Sequence, residues 1–149
     1  MSVLNATIPR RDYNPREDHL KERIKDSVFL DFKGFCDPNT DLSYMMPSRE
    51  HFTNKMEEMH VKKSDLVIVY DKYRNISAPR THFMLNQVFG LPYVWLLNGT
   101  FDKWKNEGRS LDHGDSTYAL YKKDDSPSIS KAEFEFHVNQ KKLKDFNQM

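Results

Sequence analysis

The chain has 149 residues, 38% hydrophobic and 30% charged, with a net charge of +1. That size and balance fit one soluble domain with a sizeable core, and the near-neutral charge excludes a global basic field for nucleic acid. No apolar run approaches the roughly 18 residues that a membrane span needs, and the single cysteine, Cys36, excludes an internal disulfide and allows a reducing compartment.

The first eleven residues lack the apolar stretch of a secretory signal. Arg10 and Arg11 fit an import signal, but Pro9 and Asp12 break the amphipathic basic helix such a signal uses. Residues 2–7 read as a weak strand ended by Pro9. Asn14 and Pro15 read as an N-cap and first helical position, opening a helix to about Ile24. Val28-Phe29-Leu30-Asp31-Phe32 reads as a second strand, followed by a loop over residues 33–46 with Gly34, Pro38, Asn39 and Asp41. Ser48 is the expected N-cap of the next helix, whose apolar face carries Phe52, Met56 and Met59 at spacings of 4 and 3. Met45 and Met46, with Phe35 and Tyr44, form a soft apolar cluster that suits either a contact surface or a lid on the core.

Leu66-Val67-Ile68-Val69-Tyr70 is a continuous apolar run of the kind found in parallel strands buried on both faces. Residues 77–89 are helical in pattern, with Gly90 as the stop and Pro92 beyond it. Tyr93-Val94-Trp95-Leu96-Leu97 reads as another buried strand, and residues 101–107 as a short helix stopped by Gly108. Strands alternating with helices predict an α/β domain with a mostly parallel sheet. The domain is expected over residues 1–112, with a linker-like extension over 113–149 that docks on the domain or on a partner. Within it Lys122-Lys123-Asp124-Asp125-Ser126-Pro127-Ser128 is linker in composition, and residues 132–138 alternate Phe134 and Phe136 with charged residues like an edge strand.

In order along the chain, Asn14-Pro15-Arg16-Glu17, Phe29-Leu30-Asp31, Met46-Pro47-Ser48, the run Val67-Ile68-Val69-Tyr70-Asp71 with Ser77-Ala78-Pro79-Arg80, Val88-Phe89-Gly90 and Leu97-Asn98-Gly99 resemble one family. It is the N-terminal domain of two-domain rhodaneses, the thiosulfate and 3-mercaptopyruvate sulfurtransferases. The resemblance implies a five-stranded, mostly parallel sheet with helices on both faces. There are departures: Arg23-Ile24-Lys25-Asp26-Ser27 stands where His-Ile-Pro-Gly-Ala is common, Thr100 replaces a common glycine, and the loop after Asp71 lacks its usual glycines.

Sulfur transfer of the rhodanese kind needs a thiolate held by loop amides. By the resemblance that position is Asp71, with Arg74, Ser77 and Arg80 as loop neighbours, and no catalytic residue is assigned. Asp71 is weighed as a catalytic base against a carboxylate that caps loop amides or meets Arg80, and the second is favoured. Arg74 and Arg80 suit an anion; the competing reading pairs Arg80 with a carboxylate and leaves Arg74 solvated. Cys36, beside Asp37, reads as structural rather than as a persulfide carrier. His19, His51, His60, His82, His113 and His137 show no ligand spacing, so neither metal nor cofactor is expected. The expectation is therefore a non-enzymatic, rhodanese-like structural or protein-binding subunit. Its partners would be other protein subunits, as in a mitochondrial respiratory complex, with the cytoplasm as the alternative location. The alternative function is one half of a split sulfurtransferase whose Cys-bearing domain lies on another chain, the present chain ending where a second domain would begin.

Overall fold

The computed structural model describes residues 1–114. Four parallel strands form the main sheet in the order β3-β1-β4-β5. They are β1 (Ser2–Asn5), β3 (Ser27–Phe29), β4 (Val67–Tyr70) and β5 (Val94–Leu96). β1 lies between β3 and β4, with Leu4 opposite both Val28 and Val69. The parallel sheet and the α/β class agree with the sequence; the fifth strand of the expected sheet is not among the described residues.

Helices lie on both faces. Beneath one face, Leu4, Val28, Val67 and Val69 pack with Phe52 and Met56 of α2 (Arg49–Glu58) and with Leu85 and Val88. The Phe52 and Phe89 rings stack there with centroids 3.7 Å apart. On the other face Tyr70 packs with Ile24 and with Phe101 of α4 (Phe101–Asn106). The alternation of side chains along a strand divides each apolar run between these two cores. Met46 and Phe35 are buried in the first core and Tyr44 packs against it, so the apolar loop cluster closes the core.

The boundaries differ from expectation for physical reasons. α1 (Pro15–Lys21) is capped by the Asn14 side chain, which accepts the amides of Arg16 and Glu17. It stops three residues before Ile24, because β2 (Arg23–Ile24) pairs antiparallel with β6 (Leu111–Asp112). Ile24 is thereby carried under the sheet, where its amide donates to the Tyr70 hydroxyl. The helix expected over residues 77–89 is two structures: α3 (Ala78–His82) and a π-helical segment, Phe83–Val88. Phe89 bonds back to the Met84 carbonyl, and Gly90 ends the run at φ +71. β5 corrects the expectation of a strand buried on both faces. Among the described residues it is an edge strand, and Trp95 and Leu96 are 60% and 42% exposed.

The linker and the strand expected over residues 132–138 lie outside the described residues. Among the described residues no helix is long and apolar enough to cross a membrane.

Candidate functional site

β4 delivers Asp71 to the carboxyl edge of the sheet with its side chain fully buried. Oδ1 accepts the amides of Tyr73 and Asn75, both at 2.9 Å. Oδ2 accepts the amides of Ser77 and Ala78, at 3.0 and 2.9 Å, and the Ser77 hydroxyl lies 3.5 Å away. Four backbone donors therefore converge on one carboxylate. The last two begin α3, whose N-cap residue Ser77 makes no side-chain cap of its own. Asp71 does that capping from six residues upstream, which a reading of local cap patterns does not find.

The chain curls around the carboxylate by placing Arg74 and Asn75 both at φ +55. Left-handed backbone strains Arg74 by about 1–2 kcal/mol, while Asn75 is a residue type that adopts it at lower cost. The hydrogen bonds to a buried charge offset that cost. In this loop, Arg74 and Asn75 take the left-handed conformation that glycine adopts freely.

The Arg80 guanidinium lies over the Phe32 ring, 5.7 Å from the centroid. Burial holds its pKa down, while the nearby Cys36 and Tyr44 groups act the other way. Cys36 is half-buried and its thiol donates to the Phe32 carbonyl at 3.2 Å. Burial pushes this thiol up, Arg80 opposes that, and Asp31 adds to it. Sequence alone does not bring Cys36 and Arg80 together; α3 and the loop after β3 do.

Cys36 also lines a cleft of about 790 Å³ between the loops that follow β1 and β3. Three cations, Arg10, Arg11 and Lys33, and three carboxylates, Asp31, Asp37 and Asp41, share its wall. Arg10 links this cleft to the Asp71 loop, with its guanidinium 3.6 Å from the centre of the Tyr73 ring and 4.7 Å from that of Tyr13. The cleft and the loop flank β1, where the chain passes to β3 on one side and to β4 on the other. In open parallel sheets such a switch point is the usual ligand crevice. Arg10, Arg11 and Lys33 were not singled out as a site from the sequence, because only the fold brings the two loops together.

His19, His51 and His82 have structural partners. His19 is buried with Nδ1 3.0 Å from the Asn5 amide nitrogen. His51 reaches the Gly34 carbonyl at 2.7 Å, and His82 the Val94 carbonyl at 3.1 Å. Among the described residues no three His, Cys, Asp or Glu side chains converge as metal ligands. His137 lies outside the described residues.

The family model "Rhodanese-like domain" matches residues 10–107. The chain is 33% identical over 124 residues to thiosulfate/3-mercaptopyruvate sulfurtransferase 2 of Arabidopsis thaliana, covering 82% of this chain and 36% of that protein. The solved structure of the Tum1 protein from Saccharomyces cerevisiae superposes with a TM-score of 0.73 at 29% identity, covering 81% of this chain and 40% of that one. A sub-stoichiometric sulfur transferase subunit of yeast mitochondrial complex I superposes with a TM-score of 0.63 at 26% identity, covering 70% of this chain and 35% of that one. The chain thus spans about a third of the length of the curated relatives it matches. These likenesses overturn the expectation of a non-enzyme. The relatives are named as sulfurtransferases, and Asp71 at one position is no measure of what the chain can do.

Proposed function

The chain belongs to the rhodanese-like domain family, and from that premise we propose that it serves sulfur transfer from thiosulfate or 3-mercaptopyruvate, working against a Cys-bearing rhodanese domain. The observation that carries this reading is the Asp71 carboxylate seated on four loop amides. Such a cradle suits an anionic sulfur, and here a carboxylate occupies it. A carboxylate forms no persulfide, so the sulfur-accepting thiolate comes from the partner domain. That thiolate attacks the outer sulfur of thiosulfate, forming a persulfide and releasing sulfite. With 3-mercaptopyruvate the thiolate attacks the substrate sulfur, the carbon–sulfur bond breaks, and the leaving enolate takes a proton to become pyruvate. Both donors are anions, and Arg10, Arg11 and Lys33 offer them cationic partners in the cleft, beside the carboxylates of Asp31, Asp37 and Asp41.

The test mixes the full chain with a separately expressed Cys-bearing rhodanese domain and measures sulfite and pyruvate release. Turnover is expected to rise at least about tenfold over the Cys-bearing domain alone, since orientation of the reactants contributes that much readily. Unchanged turnover at saturating concentrations of this chain refutes the reading. Turnover by this chain alone that disappears in Cys36→Ser would instead assign the sulfur to Cys36.

A second reading is favoured by the likeness to the complex I sulfur transferase subunit. In it the domain is an accessory subunit of a mitochondrial complex and binds other protein subunits. Co-migration with a respiratory complex on native gels of mitochondria supports it; recovery only from the cytoplasm sinks it.

A further inference from the structure

Four sulfur-bearing side chains line one small void. They are Cys36, Met45, Met46 and Met84, and Phe32 and Arg80 complete the wall. The void measures about 10 Å³, room for a single small atom or ion and for no organic ligand. Two segments of the chain bring these residues together. The loop after β3 folds back on itself: the Asp37 amide donates to the Met45 carbonyl at 3.0 Å, which brings Cys36 close to Met45 and Met46. Met84 comes from the π-helical segment, where its carbonyl accepts the Phe89 amide at 3.0 Å. Met46, Met84 and Phe32 are buried, so the inner wall is dry. Cys36 and Met45 are half-buried. Cys36 also lines the 790 Å³ cleft, so its thiol stands between the void and a path from solvent.

We propose that this void binds one cuprous ion, held by the Cys36 thiolate and the thioethers of Met45, Met46 and Met84. The donor set decides the metal. Thiolate and thioether sulfurs are soft and select Cu(I). Zinc takes thiolate, imidazole and carboxylate, and calcium and magnesium take oxygen; among the described residues the wall carries neither imidazole nor carboxylate. Methionine is unbranched with three rotatable bonds, so each sulfur can turn onto an ion while the backbone stays in place. Charge favours the same ion. Binding replaces the thiol proton: Cys–SH and Cu(I) give Cys–S–Cu and a proton that leaves to solvent, with no change of oxidation state. Thiolate and Cu(I) cancel, so the bound unit adds no charge beside the Arg80 guanidinium. A divalent ion would leave one positive charge next to that guanidinium in a partly buried place, which is costly. Arg80 also favours the thiolate form of Cys36, and more strongly than the Asp31 carboxylate opposes it. The site stands on these residues alone and does not depend on the sulfur-transfer reading.

The probe is Cu(I) itself, offered to the full chain as its bicinchoninate complex, without oxygen and with ascorbate present. Transfer of one Cu(I) per chain is expected, and X-ray absorption should show a first shell of sulfur only. Loss of a metal ligand should cost at least as much as loss of a ligand's own support, so Cys36→Ser should weaken binding by about a hundredfold or more, and Met46→Leu with Met84→Leu by about tenfold or more. Leucine keeps the methionine volume, so these two changes spare the core, and urea unfolding of the copper-free chain checks that they do. Met45→Leu, on the half-buried side of the void, repeats the test outside the core and should also weaken binding by about tenfold. Equal binding by Cys36→Ser overturns the proposal, because the copper then lies elsewhere. Binding that needs Cys36 and ignores every methionine change overturns it in favour of a thiol acting alone. Displacement of Cu(I) by Zn(II), or no transfer from bicinchoninate, overturns it as well.

Discussion

At the scale of single residues the molecule is organised around Asp71. Its carboxylate accepts four amides in a buried loop. Asp71→Asn replaces one acceptor oxygen by a donor and faces two of those amides with an N–H group. We expect it to cost about 3 kcal/mol, by the loss of hydrogen bonds to a charge and the stranding of buried donors. Urea unfolding measures it, and a loss below about 1 kcal/mol would mean that water or a rearranged loop takes the amides. Cys36 offers a test of the opposite kind. Burial outweighs the Arg80 charge and keeps its thiol pKa high, so at pH 8 it should react with an aromatic disulfide at roughly a tenth of the rate of free cysteine. Arg80→Leu removes the opposing cation, and the rate should fall further; acceleration would contradict the assigned electrostatics. The importance of Asp71 was legible in the sequence from its place after an apolar run. What it touches was not, because its last acceptor contact is with an amide seven residues away.

At the scale of elements, caps and strand cores were readable and transitions were not. Ser48 caps α2 through the His51 amide, and Asn14 caps α1, as the local pattern requires. The break of α1 before β2 was hidden because Arg23 and Ile24 suit a helix as well as a strand. Pairing with Leu111 and Asp112, far along the chain, decides between them. The π-helical run has no local signature, and its residues fit a plain helix by spacing. The loop after β4 shows a related effect. Arg74 and Asn75 hold left-handed backbone that glycine adopts without steric cost. Arg74→Gly should therefore raise stability by about 0.5–1 kcal/mol, the relief of backbone strain exceeding the added freedom of the unfolded chain. Thermal and urea unfolding together check this, and a loss of stability would show that the Arg74 side chain holds the loop.

At the scale of the whole molecule, α1 is tied to the functional loop by charge. The Lys72 ammonium, next to Asp71, lies 2.7 Å from the Asp18 carboxylate and donates to the carbonyls of Asp18 and Glu22. Partial burial alone would raise the Asp18 pKa, but Lys72 and the Tyr13 hydroxyl outweigh it and hold the carboxyl below its usual range. A depressed folded pKa gives stability that is full above the unfolded value of about 4 and is lost as the pH falls through the folded value. Because the carboxylate is 34% exposed, the effect should be under about 1 kcal/mol. Urea midpoints between about pH 2 and 6 should fall less steeply in Asp18→Asn than in the parent chain; equal slopes would remove the bridge from the account. The sequence by itself determined the α/β class, the family, the strand cores, the caps of α1 and α2, and Asp71 at the head of the loop. Each of these rests on spacing and residue type within a few positions. Only the tertiary structure decided the order of the four described strands, the exposure of Trp95 and Leu96 on β5, the cleft that joins Arg10 to Cys36 and the four amides on Asp71. These depend on contacts between segments far apart in the chain, whose partners no local pattern names.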